Sequence, residues 1–254
     1  MKTVHFVLQG KGGVGKTFIS SIVAQYLGHG SGAPVHCFDT DPVNKSFSQI
    51  QGLNVQTINI LTENKKIDGS QFDQLINQLI ELDGQGVIDN GASSFVPLMD
   101  YLQENNVPTF FKDAGINMVM HVPMQGGQAL KDTTYGLSVV LDELKCPVVV
   151  WLNNHHGQID KTVDAFKDRA IYKKYKSQIL GVVEIADRSQ DTFGKDIRSM
   201  TEQNLTFDEV AQSEKFFIMN KQRIQIFKRS IYEQLDAINL GEKNDVPAEK
   251  DKQA

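Results

Sequence analysis

The segment Gly10-Lys11-Gly12-Gly13-Val14-Gly15-Lys16-Thr17 constrains this chain more than any other, because it matches G-x-x-x-x-G-K-[ST] between a strand-like run and a helix-like one. Glycines let successive backbone N–H groups turn inward around phosphate oxygens, and the helix opening near Thr17 adds its positive N-terminal end. Lys16 reaches β- and γ-phosphates, and the Thr17 hydroxyl is suited to ligate Mg²⁺. Gly10, Gly12 and Gly15 also satisfy G-x-G-x-x-G, the fingerprint of a dinucleotide loop. That reading loses. A dinucleotide loop has no use for a consecutive Lys16-Thr17 pair, and the acids near residue 40 run into Pro42 and a polar loop instead of closing on a ribose. A nucleoside triphosphate is the expected ligand.

Short β-branched or aromatic runs at 3–8, 35–39, 86–89, 116–122, 148–152 and 178–183 alternate with segments of helical spacing. Ile19, Ile22, Val23, Tyr26 and Leu27 share one helix face, as do Phe72, Leu75, Ile76 and Leu79, and Leu130, Leu137, Leu141 and Leu144. The alternation predicts an α/β fold, a mainly parallel twisted sheet with helices on both faces. No internal repeat or Pro- or Ser-rich linker interrupts it, so residues 1–240 are expected to form one domain. The last stretch, GEKNDVPAEKDKQA over 241–254, has Val246 as its one sizeable apolar residue and is expected to be a disordered charged tail.

With 26 Lys plus Arg against 31 Asp plus Glu in 254 residues, the net charge of −5 gives no overall pull toward nucleic acid or anionic lipid. Cys37 and Cys146 lie far apart beside strand-like residues, which predicts buried reduced thiols and not a disulfide framework or metal cage. The longest strongly apolar run, 146–152, is far below the ~20 residues that span a bilayer, and 1–8 is too short for a signal peptide. A cytoplasmic protein is expected.

Asp39-Thr40-Asp41-Pro42 ends the second strand and opens a polar loop, where a doubly wound sheet places ligand-facing groups. Paired acids beside a phosphate loop fit hydrolysis, since phosphoryl transfer needs metal organisation and an oriented water; the bland alternative is two acids capping a turn. Gly86-Val87-Ile88-Asp89 is an apolar strand ending in an acid that can reach Mg²⁺ through water, and Gly91 just beyond it lets backbone approach a γ-phosphate. Val148 to Asn153 ends a buried strand in an amide, able to donate to and accept from an adenine edge or simply to cap a turn. His155 and His156 have no carboxylate or Cys at ligand spacing and read as a polar loop.

Lys11 turns the loop into K-G-G-V-G-K-T, which resembles the deviant Walker A motif of the ParA/MinD ATPases. The resemblance implies an ATP- and Mg²⁺-dependent switch in which Lys11 crosses to the nucleotide of a partner subunit, giving a homodimer with ATP sandwiched. It implies that Gly10, Lys11, Gly12, Gly13, Val14, Gly15, Lys16, Thr17 and Phe18 contact the nucleotide, and Asn153 the adenine. Thr17, Asp39 and Asp89 would serve the metal, while Lys11, Lys16 and Asp41 would act in catalysis, Asp41 by positioning water. The proline often found after the last acid is replaced here by Asn90-Gly91-Ala92-Ser93-Ser94. VLQGKGGVGKT, DTDPVN, VIDNGASSFVPL, GGQAL, VVWLN and LTFDE narrow the resemblance to the TraL branch of conjugative plasmids, which implies conjugation or plasmid-processing proteins as partners.

Phe217, Ile224, Phe227, Ile231 and Leu235 recur at helical spacing, with Lys215, Lys221, Arg223, Lys228 and Arg229 among them and no acid from 215 to 229. Attraction to DNA or anionic lipid would concentrate there and around 167–176. ParA-like members bind nonspecific DNA through basic residues, and MinD-like members use a terminal amphipathic helix on membranes. The plainer expectation is a helix packed on the domain with its cations solvated. Two rivals share the phosphate loop: a small-molecule phosphotransferase or ligase-like enzyme, and a nucleotide-dependent scaffold with negligible hydrolysis. An iron–sulfur reductase is disfavoured by two widely separated cysteines.

Overall fold

In a computed structural model, residues 2–30, 32–160 and 162–240 are described. The strands are β1 (Lys2–Val7), β2 (Val35–Asp39), β3 (Gln56–Thr57), β4 (Gln85–Asp89), β5 (Ile116–Gln125), β6 (Val148–Asn153) and β7 (Ile179–Ile185). They form one seven-stranded sheet in the order β3-β2-β4-β1-β5-β6-β7, every pairing parallel. Six of them are the runs expected from sequence. β3 is a two-residue polar edge strand whose residues carry no pattern.

Around the sheet lie α1 (Lys16–Gly30), α2 (Phe72–Glu81), α3 (Phe95–Glu104), α4 (Val107–Asp113), α5 (Leu130–Leu144), α6 (Val163–Lys167), α7 (Ala170–Lys174), α8 (Lys195–Glu202), α9 (Phe207–Gln212) and α10 (Ile218–Ala237). The period of two along β1 explains why both sheet faces are covered. Val4 and Phe6 enter one core with the apolar residues of α2 to α5, whereas Val7 enters the other with those of α1 and α10. Phe72, Leu75, Ile76 and Leu79 of α2 are all buried, each such side chain stabilising the fold by roughly 1.5–3 kcal/mol. Cys37 and Cys146 are buried free thiols, and burial pushes each up to about 12.

One sequence expectation fails on the last helix. Ile224, Phe227, Ile231 and Leu235 are buried as its spacing requires, but Phe217 is 79% exposed. Phe217 precedes α10 with extended backbone, so it is out of phase with the helical face. The tail expected over 241–254 lies outside the described residues.

Parallel pairing brings all the strands' C-terminal ends to one edge of the sheet, the side where such sheets bind ligands. There, Asp39 of β2 and Val7 of β1 are both in register with Asp89 of β4, while Asn153 of β6 pairs with Gln125 of β5. The loop following β1 therefore opens beside the acids that end its neighbours.

Candidate functional site

The loop from Gly10 to Thr17 wraps the space at this edge. Gly13 (φ +73°) and Gly15 (φ +93°) take left-handed conformations that a side chain would strain. Lys16 opens α1, is largely buried, and donates from Nζ to the Lys11 carbonyl at 3.1 Å. Burial lowers its pKa, opposed by Asp89 and Asp41. Gln9, which sequence reasoning missed, anchors the loop from behind. Its Oε1 accepts from Gly10 N at 2.9 Å and its Nε2 donates to the Pro123 and Thr133 carbonyls at 3.0 Å each.

The carboxylates divide into separate tasks. Asp89 is buried and accepts from the Thr17 hydroxyl at 2.7 Å and from the Ser20 hydroxyl at 2.8 Å. Burial pushes Asp89 up to about 7, with Asp39 adding to the shift and the two hydroxyls and Lys16 opposing it. The Ser46 hydroxyl lies 3.1 Å from that of Thr17, so two hydroxyls and a carboxylate gather at the start of α1. This is a hard-oxygen donor set, chemically suited to Mg²⁺. Asp39 is fully buried and spends its oxygens on its own loop, accepting from Asp41 N and Ser48 N at 3.0 Å each. Its pKa is raised, chiefly by burial. Among the described residues, no cluster of three or more His, Cys, Asp and Glu gathers as a metal cage, and His155 and His156 remain a pair without a third ligand.

Asp41 accepts at Oδ1 from Val43 N and Asn44 N, both at 2.9 Å, which fixes its turn and leaves Oδ2 without a hydrogen bond among the described residues. A Cβ at Gly91 would stand 2.7 Å from the Asp41 Cγ, so only glycine admits this approach. Behind it, Asn90 accepts at Oδ1 from the Thr40 hydroxyl (3.2 Å) and the Ser94 hydroxyl (2.9 Å) and donates to the Gly91 carbonyl (3.0 Å). The buried Asn90 amide thus ties the loop after β2 to the loop after β4. No sequence pattern marks that bridge, since its members are scattered polar residues.

A cleft of about 580 Å³ over Gly12, Lys16, Thr17, Asp41, Asp89 and Asn90 adjoins a second of about 390 Å³ over Asn153, Ile185, Arg188 and Ile197, with Gly13, Gly15, Thr17, Phe18 and Ser46 lining both. The first is polar at the phosphate loop, and the second is walled by apolar side chains, the division a nucleotide needs. Asn153 lies at the join. Its Nδ2 donates to the Val14 carbonyl at 3.1 Å and its Oδ1 accepts from His155 N at 3.2 Å, so the amide braces the loop. Lys11 extends the other way, to Asp132 on α5 at 2.9 Å, with both side chains about half exposed.

Residues 5–240 match the model of the CobQ/CobB/MinD/ParA nucleotide binding domain. The chain belongs to this family. It is 39% identical to Protein TraL of Escherichia coli over 239 residues, covering 93% of this chain and 98% of that relative. Among solved structures, the cell division ATPase MinD of Pyrococcus furiosus superposes with a TM-score of 0.57 at 17% identity, covering 94% of this chain and 100% of that one. The septum site-determining protein MinD of Pyrococcus horikoshii, complexed with Mg-ADP, gives 0.55 at 17% identity over 94% and 98%. At such identities these structures establish a shared ParA/MinD fold, and the family model establishes a nucleotide-binding protein.

Proposed function

We propose that residues 1–240 form one Mg·ATPase domain of the ParA/MinD type, acting in the cytoplasm as a slow, partner-stimulated switch. The observation that carries this reading is the convergence of Lys16, Thr17, Asp89 and Asp41 around one cleft. A bare docking site needs Lys16 for the phosphates but has no use for an acid held with one oxygen free beside them. The Thr17 hydroxyl, with Asp89 and Asp39 in support, would hold Mg²⁺, which would supply charge neutralisation to the phosphates. Asp41 Oδ2 would orient the attacking water, and Lys16 would hold the transferring phosphate. Phe18 and Asn153 would face the nucleoside.

In this reading ATP is sandwiched in a homodimer, with Lys11 leaving Asp132 for the partner's phosphates. The likeness to TraL supports a role in plasmid conjugative transfer, with conjugation or plasmid-processing proteins as partners. No helix among the described residues is long and apolar enough to cross a membrane. The phosphotransferase or ligase alternative takes support from the Lys11–Asp132 pair, which keeps the lysine within its own subunit.

The test is the solution mass of the Asp41→Ala protein without nucleotide, with Mg·ADP and with Mg·ATP. A dimer formed only with Mg·ATP, and lost in Asp41→Ala/Lys11→Ala, supports the switch. A monomer throughout, or normal turnover in Asp41→Ala, overturns it. Lys16→Ala should abolish nucleotide binding outright.

A further inference from the structure

We propose that the outer face of the N-terminal half of α10 docks a short amphipathic helix of a protein partner, one whose apolar stripe is rimmed by Asp and Glu. Phe217, Ile218 and Met219 are 79%, 82% and 57% exposed, a run of three consecutive large apolar side chains left in water. Met219, Gln222 and Ile226 follow at helical spacing on the same exposed face, and Arg229 continues it. From Ile218 to Arg229 the stripe is about 16 Å long at 1.5 Å per residue, the span of three turns of a partner helix.

The charge around the stripe selects the occupant. Of the five cations from 215 to 229, Arg223 is paired with buried Asp196 at 2.5 Å and Lys228 with Asp208 at 3.1 Å. Lys215, Lys221 and Arg229 remain to face a partner, with Glu214 the nearest acid in sequence, just outside the stripe. Among the described residues, the second basic stretch adds one unpaired cation, Lys176. Lys167, Arg169, Lys173 and Lys174 are paired with Asp164, Asp160, Asp168 and Asp142. DNA or an anionic bilayer reaches beyond three cations, onto a body whose remaining charge is strongly negative, and repulsion acts over about 10 Å. A short acidic segment meets only the local patch. Exposed Phe, Ile and Met also add contact area that a phosphate backbone cannot use but an apolar helix stripe can.

The probe is a fluorescent helical peptide of about 14 residues with leucines at i, i+4 and i+7 spacing and a glutamate rim, titrated against the full chain. Binding should weaken at least about tenfold in Ile218→Ser/Ile226→Ser and in Lys221→Glu/Arg229→Glu, and for the same peptide with a lysine rim. Ile218 and Arg229 are exposed but Ile226 is 37% exposed, so ATP binding should be unchanged in both variants and melting temperature should fall by no more than about 4 °C, whether or not the chain proves to be a dimerising switch. Failure of the acidic peptide to bind overturns the proposal. So does binding of duplex DNA or of phosphatidylcholine–phosphatidylglycerol vesicles that those variants abolish, or self-association that they abolish, because each assigns the face to another occupant.

Discussion

Lys11 and Asp132 form an ion pair, Nζ to Oδ2 at 2.9 Å, that fastens the phosphate loop to the first turn of α5. The pair and a trans contact cannot coexist: a lysine engaged by its own helix is withheld from a partner's phosphates. Exposed pairs of this kind contribute about 0–1 kcal/mol, so the restraint is weak enough for a triphosphate to break. Asp132→Asn should therefore leave thermal stability nearly unchanged and shift Mg·ATP-dependent dimerisation to lower protein concentration, by about two- to fivefold. Sedimentation equilibrium of both proteins measures the shift, and an unchanged midpoint would remove Asp132 from the mechanism.

Gly91 and Asp41 give a second test. A methyl group at Gly91 would sit 2.7 Å from the Asp41 Cγ, so Gly91→Ala must displace the carboxylate while leaving Lys16 and Thr17 in place. ATP affinity should hold within about threefold and turnover should fall about a hundredfold, the pattern of an interaction made in the transition state. Asn90→Ala should act more weakly in the same direction by removing one link between the loops, at a stability cost of about 0.5–1.5 kcal/mol, because the Thr40 and Ser94 hydroxyls keep the Asp89 and Gly91 carbonyls as acceptors. Single-turnover kinetics beside equilibrium nucleotide binding separates the two effects. Equal losses in binding and turnover would mean that the loops hold nucleotide and do not place water.

A buried polar chain across β1, β4, β5 and β6 contributes to the acid response. Trp151 Nε1 donates to His121 Nδ1 at 3.0 Å, which leaves His121 Nε2 to donate to His5 Nδ1 at 3.0 Å and His5 Nε2 to donate to Gln85 Oε1 at 3.2 Å. Every atom is satisfied only while both rings are neutral. Burial pushes His5 down to about 4 and His121 well below the usual histidine range, with the neighbouring ring adding to the second shift. Below pH 6.5 the unfolded chain takes up protons that these two folded histidines refuse, so their contribution to stability falls with falling pH, by up to about 1.4 kcal/mol per pH unit for each, while Asp89, held up near 7, contributes in the opposite sense. Urea unfolding from pH 7 to pH 5 should show a shallower decline in His5→Gln than in the parent protein. Parallel slopes would show that His5 does not carry this linkage.

The parts of the site written in contiguous residues were legible before any coordinates. Gly10 to Thr17 is one uninterrupted cradle, and Asp39, Asp89 and Asn153 each end a run of strand-forming residues, so parallel pairing had to bring them to one edge. What the sequence concealed depends on distant pairs. Asp132 meets Lys11 across 121 positions, Gln9 reaches Thr133 across 124, and His5 reaches His121 across 116. No local period marks such partners. Phe217 misled for a different reason: its spacing fits the α10 face, but the helix begins one residue later and the preceding backbone is extended.

Asn153 was legible as a strand-ending amide, yet its present partners change what its removal should do. Its Nδ2 holds the Val14 carbonyl and stands 2.9 Å from where a Gly15 Cβ would be, so it packs against the phosphate loop itself. A role confined to bracing predicts that Asn153→Ala weakens ATP and GTP alike, because both present the same phosphates to that loop. A role at the base edge predicts a larger loss for ATP, since an amide that both donates and accepts matches adenine and not guanine in one orientation. Calorimetry with each nucleotide should show ATP affinity falling about tenfold or more and GTP affinity falling less. Asn153→Asp should be worse than Asn153→Ala for both, because it sets a carboxylate against the Val14 carbonyl where a donor stood. Equal losses for ATP and GTP in Asn153→Ala would confine Asn153 to bracing the loop and move base recognition to the wall formed by Ile185, Arg188 and Ile197.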